Sequence, residues 1–173
     1  MQVAASAAVT VRVVTEETVP ETSQKTVVGV DGSDDGMAAL QRAKRICAAM
    51  HAELHVVHVR HEPYWWSFAE LAPVGAESQF REVLDGIAAQ VETAVKAEMS
   101  SYPERWSFQV RSGNPAEVLL AVSDEIGAVA IAVGARGHRP LSPYLLGSVS
   151  TALLHRAGVS VLVVRGSEPV EVE

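Results

Sequence analysis

Cysteine is nearly absent from this chain of 173 residues: Cys47 stands alone, so no disulfide can form within it. That usage is what a reducing cytoplasm favours, and a cytoplasmic protein is expected. Aromatic residues make up only 5% of the chain, and four of them crowd into one segment, "HEPYWWSF", as Tyr64, Trp65, Trp66 and Phe68. Basic residues are too few to balance the acids, 14 against 21, and the net charge of −7 argues against general binding to nucleic acid or anionic membranes. No apolar run approaches the roughly 18 residues of a membrane span. The opening "MQVAASAAVTVRVV" lacks the basic start and continuous apolar core of a signal peptide. One further absence is local. From Gly127 to Gly166 there is no Asp or Glu, although Arg136, Arg139, Arg156 and Arg165 lie there.

The residues that are present describe a globular domain. The hydrophobic share is 48% and the charged share 20%, enough for a core and too little charge for a disordered chain. Residues 1–24 read as a mobile N-terminal extension, with "TEETVPETSQ" as a polar linker carrying Pro20. Residues 25–166 read as the domain, and 167–173 as an acidic tail. Within the domain, "KTVVGVD" (25–31) suits a strand buried on both faces. Ser33 then caps a helix with Asp34 and Asp35 in its first turn. "AELHVVHV" (52–59) is the second strand, and residues 76–100 carry one apolar stripe as the second helix. "WSFQVRSG" (106–113) alternates as a third strand. Asn114, Pro115 and Glu117 mark a helix start resembling a capping box. "AVAIAVG" (128–134) is the fourth strand, Ser148 and Gly158 bracket a short helix, and "VSVLVVRG" (159–166) is the fifth strand.

This order predicts an α/β protein: a Rossmann-like open five-stranded parallel sheet with helices on both faces. Ligands on such sheets bind at the C-terminal ends of the strands, where strand order reverses. The loops after Asp31, Val59 and Gly134 should meet there. The fifth strand should form an edge, and an apolar edge usually finds a partner. Cys47 reads as a small buried hydrophobe. His51, His55, His58 and His61 invite a metal reading, but His55 and His58 must point to opposite faces of a strand, so a satisfied core histidine is expected instead. The aromatic segment 64–68 is open to three readings: a lid over the ligand, a partner surface, or simple cover for a long connection.

The stretch "GARGHRPLSPYLLGS" (134–148) runs from a buried strand to a helix N-terminus, where free N–H groups and the helix dipole favour an anion. Its spacing, G-x2-G-x9-G-S, matches neither a Walker A motif nor G-x-G-x-x-G. By its residues alone it is either a glycine-rich surface loop or a phosphate cradle.

The same pattern, carried by Gly134, Gly137, Gly147 and Ser148, resembles the ATP-binding signature of the universal stress protein family. "VVGVDGSDDGMAAL", "ELHVVHV", "SGNPAEVLL" and "GVSVLVVR" resemble the family's other landmarks, so the likeness runs from about residue 25 to 166. The resemblance implies that Asp31 and Val59 lie beside adenine and ribose. It implies that Gly134 and Gly137 approach ribose and phosphates through their amides, and that Gly147, Ser148 and Val149 hold the phosphates, with Mg2+ accompanying ATP. Ser33, the expected helix cap, and Arg136, from charge alone, complete the candidate set. The resemblance also implies a homodimer through the fifth strand (159–165) and a regulatory role in the stress response; little or no turnover is expected, because the loop supplies binding groups but no evident water-activating base. The alternatives are a weak Mg-dependent ATPase or phosphotransferase, and an oligomeric adaptor indifferent to nucleotide.

Overall fold

The computed structural model describes residues 24–60, 76–137 and 145–166. The N-terminal extension, the aromatic segment 64–68, His61, the middle of the glycine loop and the acidic tail lie outside the described residues. Strands and helices alternate as β1 (Lys25–Gly29), α1 (Asp34–Ala49), β2 (Glu53–Arg60), α2 (Ala76–Met99), β3 (Trp106–Ser112), α3 (Pro115–Ile126), β4 (Ala130–Gly134), α4 (Ser148–Arg156) and β5 (Ser160–Val164). All pairs are parallel and the sheet order is β3-β2-β1-β4-β5. The α/β class and the open five-stranded parallel sheet agree with the sequence reading, and β5 is an edge strand as expected.

Central strands are apolar on both sides because each side has its own core. Val28 and Val30 of the first strand region pack with Val56, Ala132, Leu40, Cys47, Val91 and Val95 under α1 and α2. Val27, Val57, Ile131 and Val133 point the other way and pack with Leu119, Val122 and Leu153 under α3 and α4. Neighbouring residues thus serve opposite layers, which is why the strands read as continuous β-branched runs. Gly29 leaves room for Leu119: a Cβ there would lie 2.7 Å from Leu119 Cδ1, and that side chain would have to shift.

Helix starts follow local chemistry. Ser33 accepts the Gly36 N–H at 3.2 Å and caps α1. Asn114 Oδ1 accepts the N–H groups of Ala116 and Glu117 at 3.1 and 3.3 Å, with Pro115 at the first helical position. The reciprocal half of a capping box is replaced by a contact of Glu117 with Arg156 at 3.4 Å. Two expected boundaries move by one residue. Gly147, not Ser148, is the N-cap of α4, and Ala157, not Gly158, ends it in an extended conformation.

His58 is the satisfied core histidine. It is buried, and its Nδ1–H donates to the Val30 carbonyl at 2.9 Å. His55 instead lies 3.0 Å from Ser107 Oγ and 3.6 Å from Glu53, and His51 lies 2.8 Å from Glu104. Cys47 is buried in the α1 core, and burial pushes its thiol above the ordinary range, which suits a hydrophobe and not a nucleophile.

Candidate functional site

Strands β1, β2 and β3 progress to one side of the sheet, whereas β4 and β5 lie on the other. The reversal therefore falls between β1 and β4, and a crevice opens outside their C-terminal ends. β1 is followed there by Asp31, and β4 by the glycine loop.

Asp31 leaves the strand through a turn in which Gly32 takes φ 88°, a conformation that favours glycine. Its Oδ1 accepts the Ser33 N–H at 3.0 Å and the Ser33 hydroxyl at 2.5 Å. Ser33 uses the same oxygen to accept from Gly36 N, so its hydroxyl is committed to orienting Asp31 and capping α1. Gly36 makes room for this arrangement, since a Cβ there would lie 2.6 Å from Asp31 Oδ1. On the other side, a Cβ on Gly137 would lie 2.8 Å from Asp31 Oδ2. The carboxylate thus stands between the first turn of α1 and the glycine loop.

The glycines of the loop have distinct reasons. A Cβ on Gly134 would lie 2.7 Å from both Asp35 C and Gly36 N, so glycine here lets the end of β4 pack against the backbone of α1. Gly147 donates its N–H to the Ala135 carbonyl at 2.7 Å, and a Cβ there would lie 3.3 Å from that carbonyl. Ser150, which no motif singles out, is 1% exposed and donates to both the Ala135 and Gly147 carbonyls, each at 3.0 Å. The two ends of the loop are therefore stitched together at Ala135.

That stitch sets the start of α4 beside the loop. Gly147 has no side chain with which to cap it, so the cap contributes no side-chain hydrogen bond. The first N–H groups of a helix have no intrahelical acceptor, which makes this end a ready place for an anion. Ser148 is exposed there, while Val149 is part-buried against the α3–α4 core. Val59 is part-buried at the C-terminal end of β2, against the same core.

Arg136 has an acidic partner within the fold. Its guanidinium Nε lies 3.2 Å from Asp35 Oδ2, and its side chain is only 13% exposed. Its charge is paired within the fold through that contact. Arg156 likewise meets Glu117. The acid-free window from Gly127 to Gly166 is therefore less positive in space than along the chain, because acids from α1 and α3 fold against it. Arg139 and His138 lie outside the described residues. Among the described residues no group of three or more His, Cys, Asp or Glu side chains could hold a metal ion.

A separate hollow of about 180 Å³ lies at the ends of β2 and β3, lined by Arg60, Arg81, Leu84, Asp85 and Ser112. Within it Arg60 pairs with Asp85 at 2.5 Å. No helix among the described residues is long and apolar enough to cross a membrane.

Similarity to known proteins agrees with this architecture. A universal stress protein of Bacillus subtilis is 28% identical over 148 residues, covering 82% of this chain and 98% of the relative. A universal stress protein of Mycobacterium tuberculosis is 30% identical over 156 residues, 87% of this chain, and the chain spans only 51% of that longer relative. Among solved structures, a universal stress protein from Lactobacillus plantarum shares the fold with a TM-score of 0.71 at 20% identity, covering 82% of this chain and 97% of that one. A universal stress protein crystallised in complex with cAMP is 28% identical, with a TM-score of 0.57 and coverage of 84% and 98%. Residues 22–165 match the pattern of the universal stress protein family as a whole, and the chain belongs to that family.

Proposed function

We propose that this protein binds ATP, with Mg2+ on the triphosphate, in the crevice between β1 and β4, and that it acts as a nucleotide-dependent regulator in the stress response with little or no turnover. The observation that carries the reading is the start of α4. Gly147 caps the helix without a side-chain acceptor, and Ser148 stands exposed beside the first N–H groups. A phosphate group would supply an acceptor for those donors. The solved relative with cAMP supports an adenine nucleotide as the ligand class.

In this reading Ser148 and Val149 bind phosphate through their N–H groups, helped by the Ser148 hydroxyl. Asp31, oriented by Ser33, accepts from a ribose hydroxyl, and Val59 provides apolar contact. The amides of Gly134 and of the exposed Gly137 approach the nucleotide, and Arg136, itself paired with Asp35, adds positive charge beside the phosphates. Mg2+ would be held chiefly by phosphate oxygens and water, as is usual for nucleotide sites. The loop supplies groups that bind and orient. The reading includes a cytoplasmic location, and a homodimer in which β5 pairs with a second copy across a two-fold axis. Support for the dimer is the position of β5 at the sheet edge, with Val161, Leu162 and Val163 part-buried.

The test is calorimetric titration of the purified protein with Mg-ATP, alongside chromatography of any nucleotide released on denaturation. Saturable binding is expected. Gly147→Glu, which puts a carboxylate at the phosphate position, should weaken it by on the order of 100-fold. Binding unaffected by Gly147→Glu, or no binding at all, would favour the nucleotide-independent adaptor. Steady release of phosphate, lost in Asp31→Ala while binding persists, would favour the ATPase or phosphotransferase.

A further inference from the structure

Asp35 is a hub that no motif of the chain accounts for. It is buried in the first turn of α1, with 7% exposure. Oδ2 accepts from the Arg136 main-chain N–H at 3.1 Å and from Arg136 Nε at 3.2 Å. Oδ1 accepts from the Gly166 N–H at 2.7 Å. Two main-chain donors therefore converge on one carboxylate from segments that α4 and β5 separate. One belongs to the start of the glycine loop. The other belongs to the chain just beyond the edge strand.

The surroundings leave this arrangement little slack. The neighbouring Ala135 N–H donates to the Val164 carbonyl at 2.6 Å, a second tie between the same two segments. A Cβ on Gly134 would press on the backbone of Asp35 and Gly36, and one on Gly166 would lie 3.1 Å from Asp35 Oδ1. Glycine thus lets β4 close on the backbone of Asp35 and lets residue 166 close on its carboxylate, whose other oxygen is held by Arg136. Asparagine at this position keeps one oxygen but turns the other into a donor, which cannot accept from Arg136 or Gly166.

We infer that Asp35 is a positioning residue that couples the glycine loop to the end of β5, so that a ligand on the loop is felt at Gly166 on the sheet's edge. The inference rests on the nucleotide reading for the identity of the ligand. Its physical content is that the Arg136 and Gly166 amides share one rigid acceptor, so a bond tightened at one oxygen limits the motion of the other. Coupling of this kind is reciprocal: whatever engages the end of β5 alters nucleotide affinity by the same factor.

Residue-resolved amide exchange of the full chain, with and without Mg-ATP, is the test. In the unaltered protein Mg-ATP should slow exchange at Gly137 and Ser148 and also, by at least about threefold, at Gly166. In Asp35→Asn the loop amides should still be slowed by Mg-ATP, and Gly166 should not. Without nucleotide, Asp35→Asn should speed exchange at Arg136 and Gly166 together by about tenfold or more, with Val56 in the central sheet unchanged. Loop protection with Gly166 unmoved in the unaltered protein would overturn the coupling alone, and needs no variant to fold. A uniform rise at all amides in Asp35→Asn would make Asp35 a general structural residue and overturn it too. No response to Mg-ATP at any amide would overturn the nucleotide reading and the coupling with it.

Discussion

Asp31 and Gly137 form a fitted pair: Asp31 Oδ2 lies 2.8 Å from the point a Cβ on residue 137 would occupy. The carboxylate cannot simply swing away, because Ser33 holds its other oxygen through two hydrogen bonds. Gly137→Ala should therefore displace Asp31 or the loop. The expected result is about a tenfold loss in Mg-ATP affinity, equivalent to ~1.4 kcal/mol. Position 137 is exposed, so the melting temperature should barely move. Calorimetry and thermal melting of the same samples check both halves.

Gly134→Ala should do the reverse. Its added Cβ meets backbone atoms of α1 at 2.7 Å, and backbone cannot rotate out of the way. Overpacking of this kind typically costs about 1–3 kcal/mol. Urea denaturation should show a lower midpoint with an unchanged slope. Wild-type stability in this variant would mean that β4 and α1 are less tightly apposed than described.

Ser150→Ala removes the hydroxyl that closes the loop onto Ala135 and Gly147. Since the carbonyl of Ala135 keeps the Gly147 amide, the stability cost should be modest, about 1 kcal/mol. The start of α4 would lose its fixed placement. Nucleotide affinity should fall by more than stability does. Ser150→Thr, which retains the hydroxyl, should recover part of the binding if its methyl is accommodated.

His55 should make stability depend on pH near neutrality. Burial lowers the pKa of its imidazole, the Glu53 carboxylate opposes that, and Lys25 and Arg105 add to the lowering. The folded chain then binds fewer protons than the unfolded chain between the folded value and the ordinary one of about 6.5. This contribution is fully present above about pH 6.5 and declines as pH falls towards the folded value. In His55→Gln that part of the slope should vanish. Denaturation midpoints between pH 5 and 8 measure it.

Much of the fold is legible in the sequence because its signals are local. Asn114 and Pro115 announce α3 from side-chain chemistry within three residues of the cap. Val27 and Val28 each face a core, so a β-branched run is enough to mark a strand of the sheet. The crevice is also legible, because an open parallel sheet covered by helices on both faces must reverse its strand order, and Asp31 and the glycine loop end up at the reversal. Ser148 marks the start of α4 to within one residue. Gly147 takes the cap position itself because its amide closes onto Ala135.

Arg136 marks where local reading ends. In a linear window without acids it looks like a free cation. Its partner Asp35 lies 101 residues earlier, and the Gly166 amide that shares the carboxylate lies 131 residues from it. Likewise Gly134 looks like a ligand contact, and only the packing of β4 on α1 gives it a structural reason. The sequence by itself determined the succession of elements, the helix starts and the family signature, because each depends on a few neighbouring residues. Which charge is matched, which glycine is needed for packing and which acid joins the loop to the sheet's edge were decided only by the tertiary structure, because hydrogen bonds and close contacts depend on distance in space and not on separation along the chain.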